Sequence, residues 1–163
     1  MKQIYTILLL ITLSVTALAQ NGRELYNKYS DLPGMEAVYV SPAMFRLIGR
    51  IPDIEFQDSD VNFSPLIKSM TGFYILNTSN AETGAALFAD VKKYINSGKY
   101  ELLMEAKEDG EVMRMYTVGD EKTVTSFVML AQDSTEVSYI CFDGKMDRAQ
   151  MEQLIADAAA DGN

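Results

Sequence analysis

The hydrophobic period of the chain changes at Gly98, and this change limits the fold more than any other feature of the sequence. Before Gly98, five apolar residues recur at the spacing of one α-helical face: Leu87, Phe88, Val91, Tyr94 and Ile95. After Gly98, apolar and polar residues alternate, which is typical of a β-strand with one buried face. We therefore predict a helix that ends at Gly98 in the left-handed conformation, followed by strands.

Three short turns divide the rest of the chain into four strands. Asp109-Gly110 is a strong hairpin signal, and Gly119-Asp120 and Gln132-Asp133-Ser134 follow it at regular distances. Because short turns join neighbouring antiparallel strands, residues 100–142 are predicted to form a four-strand meander. In its first strand, alternation predicts four side chains on a single face: Tyr100, Leu102, Met104 and Ala106.

The N-terminal half of the domain adds helices and two strands. We predict a helix over 22–30, a strand over 35–40, and a central strand at Phe73-Tyr74-Ile75-Leu76, which is apolar on both faces. Ser41-Pro42 and Ser64-Pro65 each begin a predicted helix, because Ser caps free N–H groups and Pro favours the first helical position. The helix after Ser41 is predicted to turn three side chains inward: Met44, Phe45 and Ile48.

The last predicted element is a C-terminal helix. Asp147 can cap it, with Gln150 three residues later as in a capping box, and its inner face is predicted to carry Met151, Leu154, Ile155 and Ala158. The complete order predicts an α+β fold, in which helices pack on one face of a mainly antiparallel sheet.

The N-terminus has the three zones of a cleavable signal peptide. Lys2 gives a positive start, residues 4–18 form an apolar run, and Ala17-Leu18-Ala19 fits a signal peptidase site, so Gln20 is the predicted new N-terminus. The run is short for a membrane-spanning helix, and no Cys directly follows it as lipid attachment would require. We predict one domain over 20–163 that is periplasmic or secreted, without a lipid anchor or stable membrane insertion.

The charge and residue types exclude several functions. The net charge is −9, so nucleic acid is not an expected partner. The chain has no His, which removes Ser-His-Asp and Cys-His catalysis and all imidazole metal ligands. It also has no Gly-rich phosphate loop, and we predict no cofactor and identify no catalytic residue. The single Cys, Cys141, cannot form an internal disulfide and is interpreted as a buried strand residue.

An acidic segment over 52–62, predicted to be a loop, contains the densest group of carboxylates. Asp58, Asp60 and Asn62 match the first half of an EF-hand loop and are the candidate metal ligands. Phe63 stands where that loop needs Gly, and Ser69 stands where it needs a bidentate Glu. A solvated acidic loop is therefore the favoured interpretation. Met113 and Met115 are predicted on one face of a strand, with Met104 on the neighbouring strand. These methionines are interpreted as adaptable apolar side chains rather than a copper site.

Asp133-Ser134-Thr135 lies in the third predicted turn, where side chains are accessible. It resembles the short acceptor sequence for O-glycosylation of exported Bacteroidetes proteins, so Ser134 is a candidate modification site.

Three longer stretches resemble a family of small exported Bacteroidetes proteins, domain of unknown function 4252. They are Val38-Tyr39-Val40-Ser41-Pro42-Ala43-Met44-Phe45-Arg46-Leu47, Gly72-Phe73-Tyr74-Ile75-Leu76-Asn77 and Tyr100-Glu101-Leu102-Leu103-Met104-Glu105-Ala106-Lys107-Glu108-Asp109-Gly110. The resemblance extends over nearly the whole exported chain. It implies export and a single domain, and it supplies no catalytic residues.

The leading hypothesis is a non-enzymatic module that binds a protein or another component of the cell envelope. It follows from predicted export, from the excluded chemistry and from the abundance of tyrosine, which serves both cores and interfaces. Two alternatives remain. One is a hydrolase of envelope glycans or peptides that uses two converging carboxylates. The other is a carrier of calcium or a small ligand.

Overall fold

The computed structural model describes residues 21–48, 64–98 and 100–153. Four helices and six strands have defined bounds: α1 (Asn21–Tyr29), β1 (Met35–Val40), α2 (Pro42–Ile48), α3 (Ser64–Ser69), β2 (Met70–Thr78), α4 (Ala81–Ser97), β3 (Tyr100–Glu108), β4 (Glu111–Gly119), β5 (Thr123–Gln132) and β6 (Val137–Asp147). Residues 148–153 continue from β6 as a helix.

All six strands form one antiparallel sheet in the order β1-β2-β6-β5-β4-β3. The strands β3 to β6 pair in chain order, and β6 then pairs with β2, so the C-terminal strands and the β1–β2 pair share one sheet. The segment Phe73 to Leu76 lies in β2 between two neighbours, which confirms that it is a central strand.

Helix α4 connects β2 to β3 across the sheet. These strands lie four positions apart, a distance of about 19 Å at the usual strand spacing. The 17 residues of α4 extend over about 25 Å, which is enough to cross it. Asn80 caps the helix by accepting a hydrogen bond from the Thr83 N–H at 3.0 Å, which satisfies one of the free donors of the first turn.

The main core lies between the sheet and two helices, α1 and α4. We call this side of the sheet the helix face. Leu25 and Tyr29 of α1 and Leu87, Val91 and Ile95 of α4 pack there against buried strand residues: Tyr74, Leu76, Val128, Leu130, Val137, Tyr139 and Cys141. Each helix contributes residues at i, i+4 or i, i+4, i+8 spacing, which places them on one side of the helix.

We call the opposite side of the sheet the far face. A smaller core forms at one end of it, where Leu66 of α3 and Met151 of the final helix pack with Val124, Phe142 and Met146. The prediction that the helices pack on one face is therefore wrong, because α1 and α4 pack on the helix face whereas α3 and the final helix pack on the far face. The second Ser-Pro helix and the C-terminal helix directly flank β2 and β6, and these short connections bring them to the far face.

Strand β3 corrects the predicted alternation. Leu102 pairs with Tyr116 on the helix face, whereas Met104 pairs with Met115 on the far face, because a bulge between them adds one residue to β3. The four residues expected on one face are therefore divided between two faces, with Tyr100 beside Leu102 and Ala106 beside Met104.

Two local predictions fail for identifiable reasons. Gly98 ends α4 in an extended conformation with φ −108°, not in the left-handed region. A Cβ atom at Gly98 would lie 2.9 Å from Cδ2 of Tyr100, so close packing explains the glycine better than backbone handedness. Met44 of α2 is exposed, and Phe45 is the buried residue of that helix.

Other predictions hold. Asp147 caps the final helix by accepting from the Gln150 N–H at 3.0 Å, and Met151 is buried. Leu154, Ile155 and Ala158 lie outside the described residues, as do the signal peptide with its cleavage site at Ala19 and Gln20 and the acidic segment with Asp58, Asp60 and Asn62. None of the helices that the structure describes is long and apolar enough to cross a membrane.

Candidate functional site: the apolar row of the far face

An unbroken row of apolar side chains crosses all six strands on the far face. Strand register places its members opposite one another in the order Val38, Ile75, Ile140, Met129, Met115 and Met104. We call these six residues the apolar row. Each strand contributes one member, because alternate residues of a strand point to the same face.

The apolar row belongs to neither of the two core clusters that the described residues form. Its end members, Val38 and Met104, are 47% and 41% exposed, and the four members between them are half-buried. The next row toward α3 is better covered, since Phe127 is buried and stacks on Phe142 with ring centroids 4.6 Å apart. Cover from the described helices thus decreases along the strands, from the phenylalanines to the apolar row.

A groove of about 320 Å³ continues the far face beyond the apolar row. It lies at the ends of the β3–β4 and β5–β6 hairpins. Its floor contains Ala106, Met113, Ala131 and Ser138, which pair across the strands in that order. Its rim is acidic and contains Glu108, Glu111, Asp133 and Glu136.

The four rim acids have different roles in the structure. Oδ1 of Asp133 accepts hydrogen bonds from the N–H groups of Thr135 and Glu136 and from the Thr135 hydroxyl. These bonds, led by the one from the Thr135 N–H, hold the pKa of Asp133 below its usual range, and they form the β5–β6 turn. Glu108 and Glu111 face each other directly across the β3–β4 hairpin. Glu136 accepts a long hydrogen bond from the Ser138 hydroxyl, at 3.4 Å. Glu108 and Glu111 are exposed and belong to no ion pair of the described residues, so a ligand can reach their carboxylates.

A separate polar cluster lies under the helix face. Cys141 Sγ is 3.6 Å from Ser126 Oγ and 3.7 Å from Oδ1 of Asp143. Burial, and secondly the Asp143 charge, raise the pKa of the Cys141 thiol to about 12, and burial also raises the pKa of Asp143. A thiol that keeps its proton is a poor nucleophile. Cys141 is fully buried, which confirms its predicted role as a core strand residue.

A second cavity, of about 230 Å³, lies between α1 and α4. At its edge, Asp90 pairs with Lys28 and accepts a hydrogen bond from the Tyr29 hydroxyl at 2.7 Å. These two bonds, with Lys28 first, hold the pKa of Asp90 below its usual value. The group joins the two helices over the core, and we interpret it as structural.

The structure places the remaining sequence candidates as follows. Ser134 is exposed in the β5–β6 turn beside the groove, and its modification stays a prediction. The described residues contain no group of three or more Asp, Glu or Cys side chains able to hold a metal ion. Asp143 lies on the opposite face from the groove acids, so it does not form with them the converging pair that a glycosidase requires.

The sequence predicts individual residues of this surface but not the surface itself. It predicts Met113 and Met115 on one strand and Met104 on the neighbouring strand. Val38 and Ile75 align with these methionines only because β6 pairs with β2, and no local sequence pattern predicts that pairing. The facing acids Glu108 and Glu111 could have been found, because they flank the two-residue turn Asp109-Gly110 directly.

A family comparison agrees with the resemblance. The model of the family described as domain of unknown function (DUF4252) matches residues 29–154. The chain belongs to the DUF4252 family. No curated protein matches this DUF4252 domain. Among solved structures, the crystal structure of LppA from Mycobacterium tuberculosis is similar, with 13% identity over 80% of this chain and 73% of that chain and a TM-score of 0.35.

Proposed function

We propose that this DUF4252 domain is a non-enzymatic binding module of the cell envelope, and that a partner protein packs on the apolar row. The observation that carries the proposal is the row itself, which crosses six strands and is excluded from both cores of the described residues. Apolar patches of this kind, bordered by polar residues, are typical of protein interaction sites. Burying them against a partner is favourable because it removes apolar area from water.

The composition of the surface suits an interface. Methionine contributes half of the apolar row, and its unbranched, polarizable side chain adapts to different partner shapes. Charged residues lie at the margins of this surface, on the rim of the groove and at Glu36 beside Val38, and an apolar centre with a polar rim is the usual arrangement of a protein interface.

A matched pair of variants tests this proposal. Met104→Lys and Leu102→Lys change two exposed residues of β3 in the same way, but the bulge places Met104 on the far face and Leu102 on the helix face. Wild type and both variants, each immobilised, are used to capture proteins from envelope extract of the native host. A protein captured by the wild type is then purified and its affinity is measured for all three.

We expect Met104→Lys to weaken the affinity of the purified partner roughly tenfold or more, since it places a charge in an apolar contact. Leu102→Lys should leave the affinity unchanged. Equal affinity for all three proteins, or equal loss with both variants, would contradict the proposal. Circular dichroism of the variants checks that each one is folded.

We also propose that the protein is exported by its signal peptide and released without a lipid anchor, as the N-terminal sequence predicts. The intact mass of the protein from its native envelope fraction tests this. A mass equal to residues 20–163 is expected, with a discrete addition if Ser134 is glycosylated. Retention of residues 1–19 or the mass of an attached lipid would refute it.

A further inference from the structure

We infer that the groove at the end of the far face receives a Lys or Arg side chain of the partner, and that apolar residues next to this side chain lie on the apolar row. The partner is thus a polypeptide segment that combines a basic residue with an apolar stretch. The inference rests on the proposed function, because it specifies the chemistry of the partner.

The groove rim contains an uncompensated pair of like charges. Glu108 and Glu111 are directly opposite in the β3–β4 register, where Cβ atoms are about 5 Å apart and like charges destabilise the sheet. No ion pair of the described residues includes either of them. Glu105 of the same strand, by contrast, pairs with both Lys107 and Arg114. A cation from outside would relieve the repulsion between Glu108 and Glu111.

The lining of the groove suits a long cationic side chain. Its floor is largely apolar, with Ala106, Met113 and Ala131, and its rim is acidic. Lys and Arg side chains have the same division, since an apolar stem carries a charged head that remains near water. A metal ion would need oxygen ligands on several sides. The only side-chain oxygen among the floor residues is the Ser138 hydroxyl, which donates to Asn77 Oδ1 at 3.0 Å, and the described residues form no cluster of metal ligands.

The groove is continuous with the apolar row. Met113 and Ala131 in the floor are each two residues along their strands from row members, Met115 and Met129, which is a distance of about 7 Å. When a cationic side chain of the partner occupies the groove, the neighbouring residues of the partner therefore lie at the edge of the apolar row. The net charge of −9 also favours the approach of a basic segment.

Selection from a display library of random linear peptides tests the inference. The library is panned on the wild type, on the groove variant Glu108→Gln/Glu111→Gln, on the row variant Met104→Lys and on the control Glu121→Gln/Glu152→Gln. The control acids are exposed, lie outside the groove rim and cause the same change in net charge. Synthetic peptides from the wild-type selection are then titrated against all four proteins.

We expect the wild type and the control to select peptides with a basic residue beside apolar residues. The groove variant should lose the preference for the basic residue and bind the synthetic peptides roughly tenfold more weakly. Binding should also weaken with added salt, because exposed charge pairs are screened.

The other outcomes separate the two proposals. Selection of apolar peptides without a basic residue, or equal weakening by the control, would overturn the inference and leave the proposed function intact. Peptides that bind Met104→Lys as tightly as the wild type would contradict the proposed function. Failure to select any peptide would count against both. Calcium binding that the groove variant abolishes, or a dimer in light scattering that Met104→Lys dissociates, would assign the surface to another occupant and overturn the inference.

Discussion

The two faces of the sheet are built from similar residues but differ in what covers them. Leu76 and Ile75 are neighbours in the central strand β2. Leu76 points to the helix face and is fully buried beneath α1 and α4, whereas Ile75 points to the far face and is half-buried in the apolar row. The comparison shows that a strand with apolar side chains on both faces can be covered on both. The sequence of the strand does not indicate which of the two faces the chain itself covers.

The largest expected loss of stability comes from a substitution on the helix face, which is the better covered of the two. Leu76→Ala should lower the free energy of unfolding by about 3 kcal/mol, because it removes buried methyl groups and leaves a cavity in a closed core. Ile75→Ala is the matched variant on the far face, and it should cost about 1 kcal/mol, since Ile75 is still partly in contact with water. Urea denaturation of both variants gives the two values.

If Leu76→Ala and Ile75→Ala lower the free energy of unfolding equally, the far face is packed as tightly as the helix face. That result would also remove the observation on which the proposed function rests. A difference of about 2 kcal/mol would support the distinction between the faces.

The next effect concerns how closely α1 approaches the helix face. A Cβ atom at Gly22 would lie 2.6 Å from Cys141 Sγ and 2.9 Å from Cδ2 of Tyr74. Gly22→Ala should therefore displace α1 and reduce stability by about 2 kcal/mol, although Ala is the better helix former. Asn27→Ala, at an exposed position of the same helix, is the control and should be neutral or slightly stabilising. Thermal unfolding of both variants measures the contrast.

A smaller loss of stability is expected from removing the hydrogen bond that links α1 to α4. Tyr29→Phe removes the hydroxyl that donates to Asp90 and should cost about 1 kcal/mol at neutral pH. Because the pKa of Asp90 is lowered in the fold, first by Lys28 and then by Tyr29, its contribution is present above the ordinary carboxyl pKa. That contribution is lost as the pH falls through the folded pKa.

Urea denaturation of wild type and Tyr29→Phe from neutral to acidic pH measures this dependence. The difference in stability should shrink as the pH falls. A difference that is constant with pH would show that Asp90 does not carry the effect, and Asp90→Asn should then behave like the wild type.

The smallest effect has the opposite sign. Asp143 lies beside Ser126 and Cys141 on the helix face, and burial raises its pKa. A raised carboxyl pKa means that the ionised form is disfavoured in the fold, so the wild type loses stability as the pH rises from the ordinary pKa through the folded pKa. Asp143→Asn should therefore stabilise the protein at neutral pH, by less than about 1 kcal/mol, and the gain should vanish in acid. Differential scanning calorimetry at two pH values would detect it, and destabilisation at neutral pH would contradict the assignment.

The order and type of the described elements could be predicted from the sequence, because each depends on a local pattern. The 17-residue helix α4, the three hairpin turns and the cap at Asp147 all depend on residues within a few positions of one another. The bulge in β3 could not be predicted, since one extra residue between Leu102 and Met104 is visible only when β4 is placed beside it. The same applies to Gly98, whose role depends on the ring of Tyr100.

The candidate site was predicted only in part. The sequence supplied the methionines of β3 and β4 and placed Ser134 in a turn, but it did not identify a surface.

By itself, the sequence determined an acidic α+β domain without imidazole chemistry, with apolar side chains on both faces of its strands. Residue type and period are sufficient for these conclusions, because they are properties of single segments. Only the tertiary structure decided that β6 pairs with β2, which aligns Val38 with Met104 across six strands and places α1 and α4 over one face. The physical reason is that strand pairing is long-range. The burial of an apolar side chain in a sheet depends on neighbours that are distant in the chain.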